Sequence, residues 1–101
     1  MNIQITSRKF KAKESLKTEI NEQLKSLEKF NNDILDANVV LSYLHNKDSL
    51  KTVEIILNVP GKTLSAEVTS EEFNKSLNST IDKLERQLKK LKTKKKSQIH
   101  K

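Results

Sequence analysis

Phe73, Leu77, Ile81, Leu84, Leu88 and Leu91 recur at three- and four-residue spacing without a break, which defines one apolar stripe along about five helical turns. A helix with a single stripe must lay it on a broad apolar surface. The surface is supplied by three segments with the two-residue period of half-buried strands, 37–45, 52–59 and 63–68. Ala37, Val39, Leu41 and Tyr43, then Val53, Ile55, Leu57 and Val59, then Leu64, Ala66 and Val68 share a face in them. Val40 and Leu44 point the other way and predict partial cover there. Asn46-Lys47-Asp48-Ser49 and Pro60-Gly61 carry the turn chemistry that folds the three into a meander.

Upstream, residues 2–6 alternate with Ile3 and Ile5 on one side. Over 14–30, Leu16, Ile20, Leu24 and Leu27 form a second helical stripe with Phe30 at its edge, ended by Asn31-Asn32. Thr69-Ser70-Glu71-Glu72 reads as a capping box, with the Thr69 hydroxyl accepting from the Glu72 backbone and the Glu72 carboxylate reaching back. The order is therefore β-α-β-β-β-α. A strand, helix and strand in succession favour a crossover with the first two strands parallel, and tight turns make the others antiparallel. The fold class is α+β, a four-stranded mixed sheet with both helices on one face. Thr52, Glu54, Asn58, Thr63, Ser65 and Glu67 are expected to face water on the other.

With 101 residues, of which 34% are hydrophobic and 33% charged, the core is thin and there is room for one domain. The stripe places that domain at 1–92, followed by a basic, disordered tail at 93–101. No apolar run approaches the about 20 residues that span a bilayer, and the first residues do not read as a signal peptide. A cytoplasmic protein is expected. The chain has no cysteine, so disulfides and thiolate metal sites are excluded.

Catalytic constellations are missing from the pattern. His45 and His100 are the two histidines, one at a strand end and one in the tail, without the partners an acid/base site requires. One glycine, Gly61, rules out a glycine-rich phosphate loop. Asp33 and Asp36 lack a third carboxylate or a glycine to complete a cation loop. Phe10, Phe30, Tyr43 and Phe73 read as too few and too scattered for a base-stacking platform, and packing accounts better for Phe30 and Phe73.

Charge is informative once it is located. Up to Asn74 acids slightly outnumber bases, whereas from Lys75 onward the acids are Asp82 and Glu85 alone, so the net +7 resides in the last quarter. On a wheel of about 100° per residue, Lys75, Lys83, Arg86, Lys90 and Lys94 fall on one flank of the second helix. No acid interrupts them. Asp82, Glu85 and Lys89 lie on the opposite flank, with Glu85 and Lys89 in the favourable order for an ordinary surface pair. A solvated flank that complements the helix C-terminal dipole would explain Lys89, Lys90 and Lys92. An acid-free row held on a helix points instead to RNA or another polyanion. Lys25 and Lys29, one turn apart on the first helix, can extend it.

Five segments carry a family likeness: residues 1–6, Leu24-Lys25-Ser26-Leu27-Glu28-Lys29-Phe30, Ala37-Asn38-Val39-Val40-Leu41, Gly61-Lys62-Thr63-Leu64-Ser65-Ala66-Glu67, and above all Ile81-Asp82-Lys83-Leu84-Glu85-Arg86-Gln87-Leu88-Lys89-Lys90. In this order they resemble the ribosome hibernation-promoting factor and ribosome-associated inhibitor family, in its short form. The resemblance implies a fold like double-stranded-RNA-binding domains and a non-enzymatic role. Its implied partner is the small ribosomal subunit and its ribosomal RNA near the decoding centre, where messenger and transfer RNA are excluded. It implies no cofactor, no small-molecule substrate, no membrane and no long-form dimerisation domain. Lys25, Lys29, Lys83, Arg86, Lys89, Lys90 and Lys92 match the family's basic positions near RNA, and the wheel adds Lys75 and Lys94. Two other readings stand beside this one: a general double-stranded RNA-binding module, and a regulator whose basic flank meets an acidic protein.

Overall fold

The computed structural model describes residues 1–43 and 50–99, with side chains through Leu91 in the last helix. Its elements are β1 (Asn2–Ser7), α1 (Glu14–Ser26), β2 (Asp36–Tyr43), β3 (Lys51–Val59), β4 (Lys62–Ser70) and α2 (Phe73–Ile99). The strands lie in the order β1-β2-β3-β4, with β1 parallel to β2 and the other pairs antiparallel. The expected β-α-β-β-β-α order is observed.

Alternation decides which strand face is buried. Ala37, Val39, Leu41, Val53, Ile55 and Leu57 have no exposed surface, and they meet Ile20 and Leu24 of α1 and Leu77, Leu84 and Leu88 of α2 in one core. Each helix buries its stripe and leaves its charges outside. On the open face the register aligns Asp36 with Asn58 and Asn58 with Thr63, and their side chains hydrogen-bond across the strands: Asn58 Nδ2 donates to Asp36 Oδ1 at 2.5 Å, and the Thr63 hydroxyl to Asn58 Oδ1 at 2.9 Å. Thr63, Ser65 and Glu67 are exposed as expected, whereas Thr52 is buried, its hydroxyl 2.7 Å from that of Thr69 in the next strand.

That contact also corrects the capping box. Thr69 belongs to β4 and its hydroxyl is drawn to Thr52, so it does not cap α2. The hydroxyl that serves the start of the helix is Ser70, which bonds the Glu72 carbonyl at 2.8 Å and lies 2.7 Å from the Ser76 hydroxyl. Buried Ser76 donates to the Lys51 carbonyl at 2.8 Å, and buried Thr80 donates to the Ser76 carbonyl at 2.7 Å. Ser76 thus fastens α2 to β3, and the Thr80 hydroxyl also lies 3.3 Å from the Val53 carbonyl of the same strand. At the other end, α2 is helical to Ile99, past the last position of the stripe at Leu91 and into the segment from 93 where a disordered tail was expected. The first helix ends sooner than its pattern, at Ser26, and tightens to a 3₁₀ turn over Leu27–Lys29. The turn Asn46 to Ser49, Leu44 and both histidines lie outside the described residues.

Among the described residues, two take a left-handed backbone, Gly61 at φ 77° and Lys9 at φ 65°. Gly61 closes the β3–β4 turn, and a Cβ there would meet nothing within 4 Å. Any cost of Gly61→Ala is therefore conformational, about 1 kcal/mol. At Lys9 the penalty is already present, so Lys9→Asn is expected to raise stability by about 0.5–1 kcal/mol. Urea midpoints should move in opposite directions for the two variants. A neutral Gly61→Ala would show that the turn tolerates another geometry.

Candidate nucleic-acid interface

Three contacts orient α2 about its axis. Gln87 donates to the Ser65 carbonyl of β4 at 2.9 Å, Asn78 accepts from Gln23 of α1 at 2.8 Å, and the Lys89 ammonium lies 5.2 Å from the Phe30 ring centroid. With Phe73 at zero and about 100° per residue, β4 lies near 320° and the first helix near 140–160°. Lys83, Arg86 and Lys90 fall at about 220–280°, between the two and away from the core. All three are exposed, and they form no ion pair among the described residues. Their spacing repeats once per turn, so the charges form one row on a helix anchored along its other side.

The remaining expected site residues divide. Lys75 is exposed near the start of α2 and pairs with Glu72 at 3.3 Å. It lies about 12 Å along the axis from Lys83, so it extends the line without joining the row. Lys89 forms the expected pair with Glu85, at 3.2 Å, on the side facing α1. Such exposed pairs are worth about 0–1 kcal/mol and do not prevent a switch to a phosphate partner. Lys25 and Lys29 are exposed at the end of α1, and Phe30, the residue after Lys29, touches Lys89. Lys29 is thus next in sequence to the ring that Lys89 contacts, and Lys25 lies one turn before it. The backbone at Lys92 and Lys94 is helical, and their side chains lie outside the described residues.

One feature was missed in the sequence. Phe10, Tyr43 and Phe73 are not scattered: Phe10 stacks on Phe73 with centroids 5.4 Å apart, and Tyr43 meets their edges at 4.9 and 5.7 Å. The three come from a connection, a strand end and a helix start, so no local spacing could reveal them. Phe30 stays apart, packed against the core as expected.

A layered sheet with a helix pair on one face and a basic row on the second helix defines an α+β domain with one cationic face. The chain matches a family model described as sigma 54 modulation protein / S30EA ribosomal protein over residues 3–96, and it belongs to that family. It is 33% identical over 92 residues to a ribosome hibernation promotion factor of Deinococcus radiodurans, an alignment covering 89% of this chain and 48% of that protein. It is 32% identical to a ribosome-associated factor Y of Haemophilus influenzae, covering 96% of this chain and 88% of that one. The chain thus spans about half the length of one curated relative and most of the other.

Two solved structures share the fold. A ribosomal subunit interface protein from Coxiella burnetii superposes with a TM-score of 0.84 at 24% identity, covering 92% of this chain and 99% of that one. The N-terminal domain of Protein Y from Thermus thermophilus gives 0.80 at 24% identity, with 90% and 99% covered. The expected family and fold class are therefore both found. Among the described residues, no helix is long and apolar enough to cross a membrane.

Proposed function

We propose that this chain is a ribosome hibernation factor that binds the small subunit near the decoding centre and inhibits translation reversibly by excluding messenger and transfer RNA. The observation that carries the reading is the acid-free row Lys83, Arg86 and Lys90, exposed on a helix whose opposite face is locked in the core. A fixed line of cations at one-turn spacing suits a phosphate backbone, because the array is ordered before it binds. Lys75, Lys89, Lys25 and Lys29 extend it toward both ends. Relatives named for hibernation and ribosome association supply the partner. Inhibition of this kind is steric and needs no chemistry from the protein.

Sedimentation with purified subunits tests the reading. The protein is expected to travel with the small subunit, and messenger or transfer RNA bound beforehand should displace it. Equal competition by any RNA duplex would favour a general double-stranded RNA module, and binding unaffected by transfer RNA would overturn the steric mechanism.

The division at residue 92 makes a separate prediction. Removing residues 93–101 deletes cations beyond the end of the apolar stripe, so the thermal midpoint should hold while binding to the subunit weakens. The loss should be larger at low salt, since each phosphate contact contributes roughly one unit to the slope of log K against log salt. A large fall in stability would show that the segment belongs to the folded domain.

A further inference from the structure

The row on α2 leaves a second basic region unexplained. Arg8, Lys9, Lys11 and Lys13 are all exposed in the connection between β1 and α1, and no acid precedes Glu14 in the chain. The segment is held in place. The Arg8 backbone N–H donates to the Leu41 carbonyl at 2.9 Å, Phe10 is clamped between Tyr43 and Phe73, and Ala12 is buried. Lys9 is kept in a left-handed conformation that lysine disfavours, and such strain survives where the surroundings over-determine it. Four exposed cations thus sit on an anchored segment, and two of them, Lys11 and Lys13, border the three half-buried rings.

Between this segment and the helix starts lies a cleft of about 610 Å³, within the general range for ligand sites of about 300–1,000 Å³. Beside the three rings its lining carries Lys11 and Lys13 together with Asn74 and the carboxylates Glu19, Glu71 and Glu72. Lys51 lies 5.7 Å from the Tyr43 centroid and donates to the Glu71 carbonyl at 3.0 Å, which ties the acidic rim to the aromatic floor. Aromatic rings accept the face of any nucleobase, lysines meet its phosphates, and a carboxylate or amide meets the amino groups on its edge. An acidic peptide would suit the cations but not Glu71.

We propose that the cleft floored by Phe10, Tyr43 and Phe73 is a second RNA contact, which seats an unpaired base on the rings while Arg8, Lys9, Lys11 and Lys13 hold the flanking phosphates. This rests on the reading of the chain as a ribosomal-RNA binder and deepens it. The cleft lies at the start of α2, about 15–25 Å along the axis from Lys83 to Lys90. The helix row then meets paired backbone and the cleft meets a loop or single strand, several nucleotides away.

The chain has three phenylalanines, one tyrosine and no tryptophan, so its aromatic proton spectrum is simple. On adding a short oligoadenylate, the ring signals of Phe10, Tyr43 and Phe73 are expected to move upfield while Phe30, which lies outside the cleft, stays in place. Polyphosphate, which carries charge without bases, should not produce the shift. Tyr43→Leu, which keeps the apolar volume, should weaken oligoadenylate binding by roughly five-fold or more and leave polyphosphate binding unchanged. Lys11→Glu with Lys13→Glu should weaken both.

Equal shifts with polyphosphate, or oligoadenylate affinity unaltered by Tyr43→Leu, would overturn the proposal. On the small subunit itself, Tyr43→Leu should reduce affinity. Full binding by that variant, with loss on reversing the charges of the α2 row, would overturn the cleft and leave the hibernation reading standing. Full binding by both variants would overturn the two together.

Discussion

Leu84→Lys is expected to unfold the domain. Leu84 has no exposed surface and sits at the middle of the α2 stripe, between Ile81 and Leu88, over the sheet. A lysine there must leave its ammonium without a partner in the core, or pull the helix off the strands to reach water. Either route costs several kcal/mol, against a total stability of about 5–15 kcal/mol for a domain of ordinary size. The core offers little reserve, because the buried hydrophobic side chains form one layer between a single sheet face and two helices. Leu84→Ala is a graded control, with a loss of about 2–5 kcal/mol from transfer and cavity together. Circular dichroism and thermal melting check both. An unchanged midpoint for Leu84→Lys would rule out this packing of α2.

Much of that packing was legible because periodicity and burial have the same cause. The stripe from Phe73 to Leu91 predicts which side of α2 is buried, and Leu77, Ile81, Leu84 and Leu88 are buried. The strands were legible by alternation, and the parallel β1–β2 pair followed from the helix between them. Local motifs without burial behind them were less secure. Thr69 and Glu72 have capping-box spacing, but the Thr52 hydroxyl across the sheet offers Thr69 a partner that the spacing does not contain. Ser76 and Thr80 carry no signal in the period of the stripe, yet their hydroxyls find the Lys51 and Ser76 carbonyls and are buried. The end of α2 was missed for the opposite reason: lysine and glutamine sustain helix well by intrinsic propensity, so helix outlasts the apolar pattern.

The candidate site follows the same rule. Lys83, Arg86 and Lys90 were placed on one flank from the helical period alone, because one element carries all three. Which neighbour bordered that flank was not legible, since it depends on Gln87 meeting β4 and Lys89 meeting Phe30. The aromatic cluster depends entirely on tertiary contact. Tyr43 was readable as facing the helices and Phe73 as part of the stripe, but Phe10 lies in a connection with no period. Its position is set by the hydrogen bond that Arg8 makes to Leu41 and by the left-handed turn at Lys9.

Replacing Lys83, Arg86 and Lys90 together with glutamate is expected to abolish binding to the small subunit and relieve inhibition in a purified translation system. Each change reverses a charge, so a line that neutralised phosphates becomes one that repels them. The fold should persist, because all three side chains are exposed and make no ion pair among the described residues. Glutamate is also a good helix former, and the circular dichroism spectrum is expected to stay unchanged. Single alanine variants separate phosphate contact from general charge. Each should weaken binding and lower the salt slope by roughly one counterion per lost contact. The same change at Lys75, paired with Glu72 and two turns away, should have a smaller effect. Wild-type inhibition by a folded triple variant would remove the row from the interface. Loss of binding with an unchanged salt slope would show that its charges act through something other than phosphate.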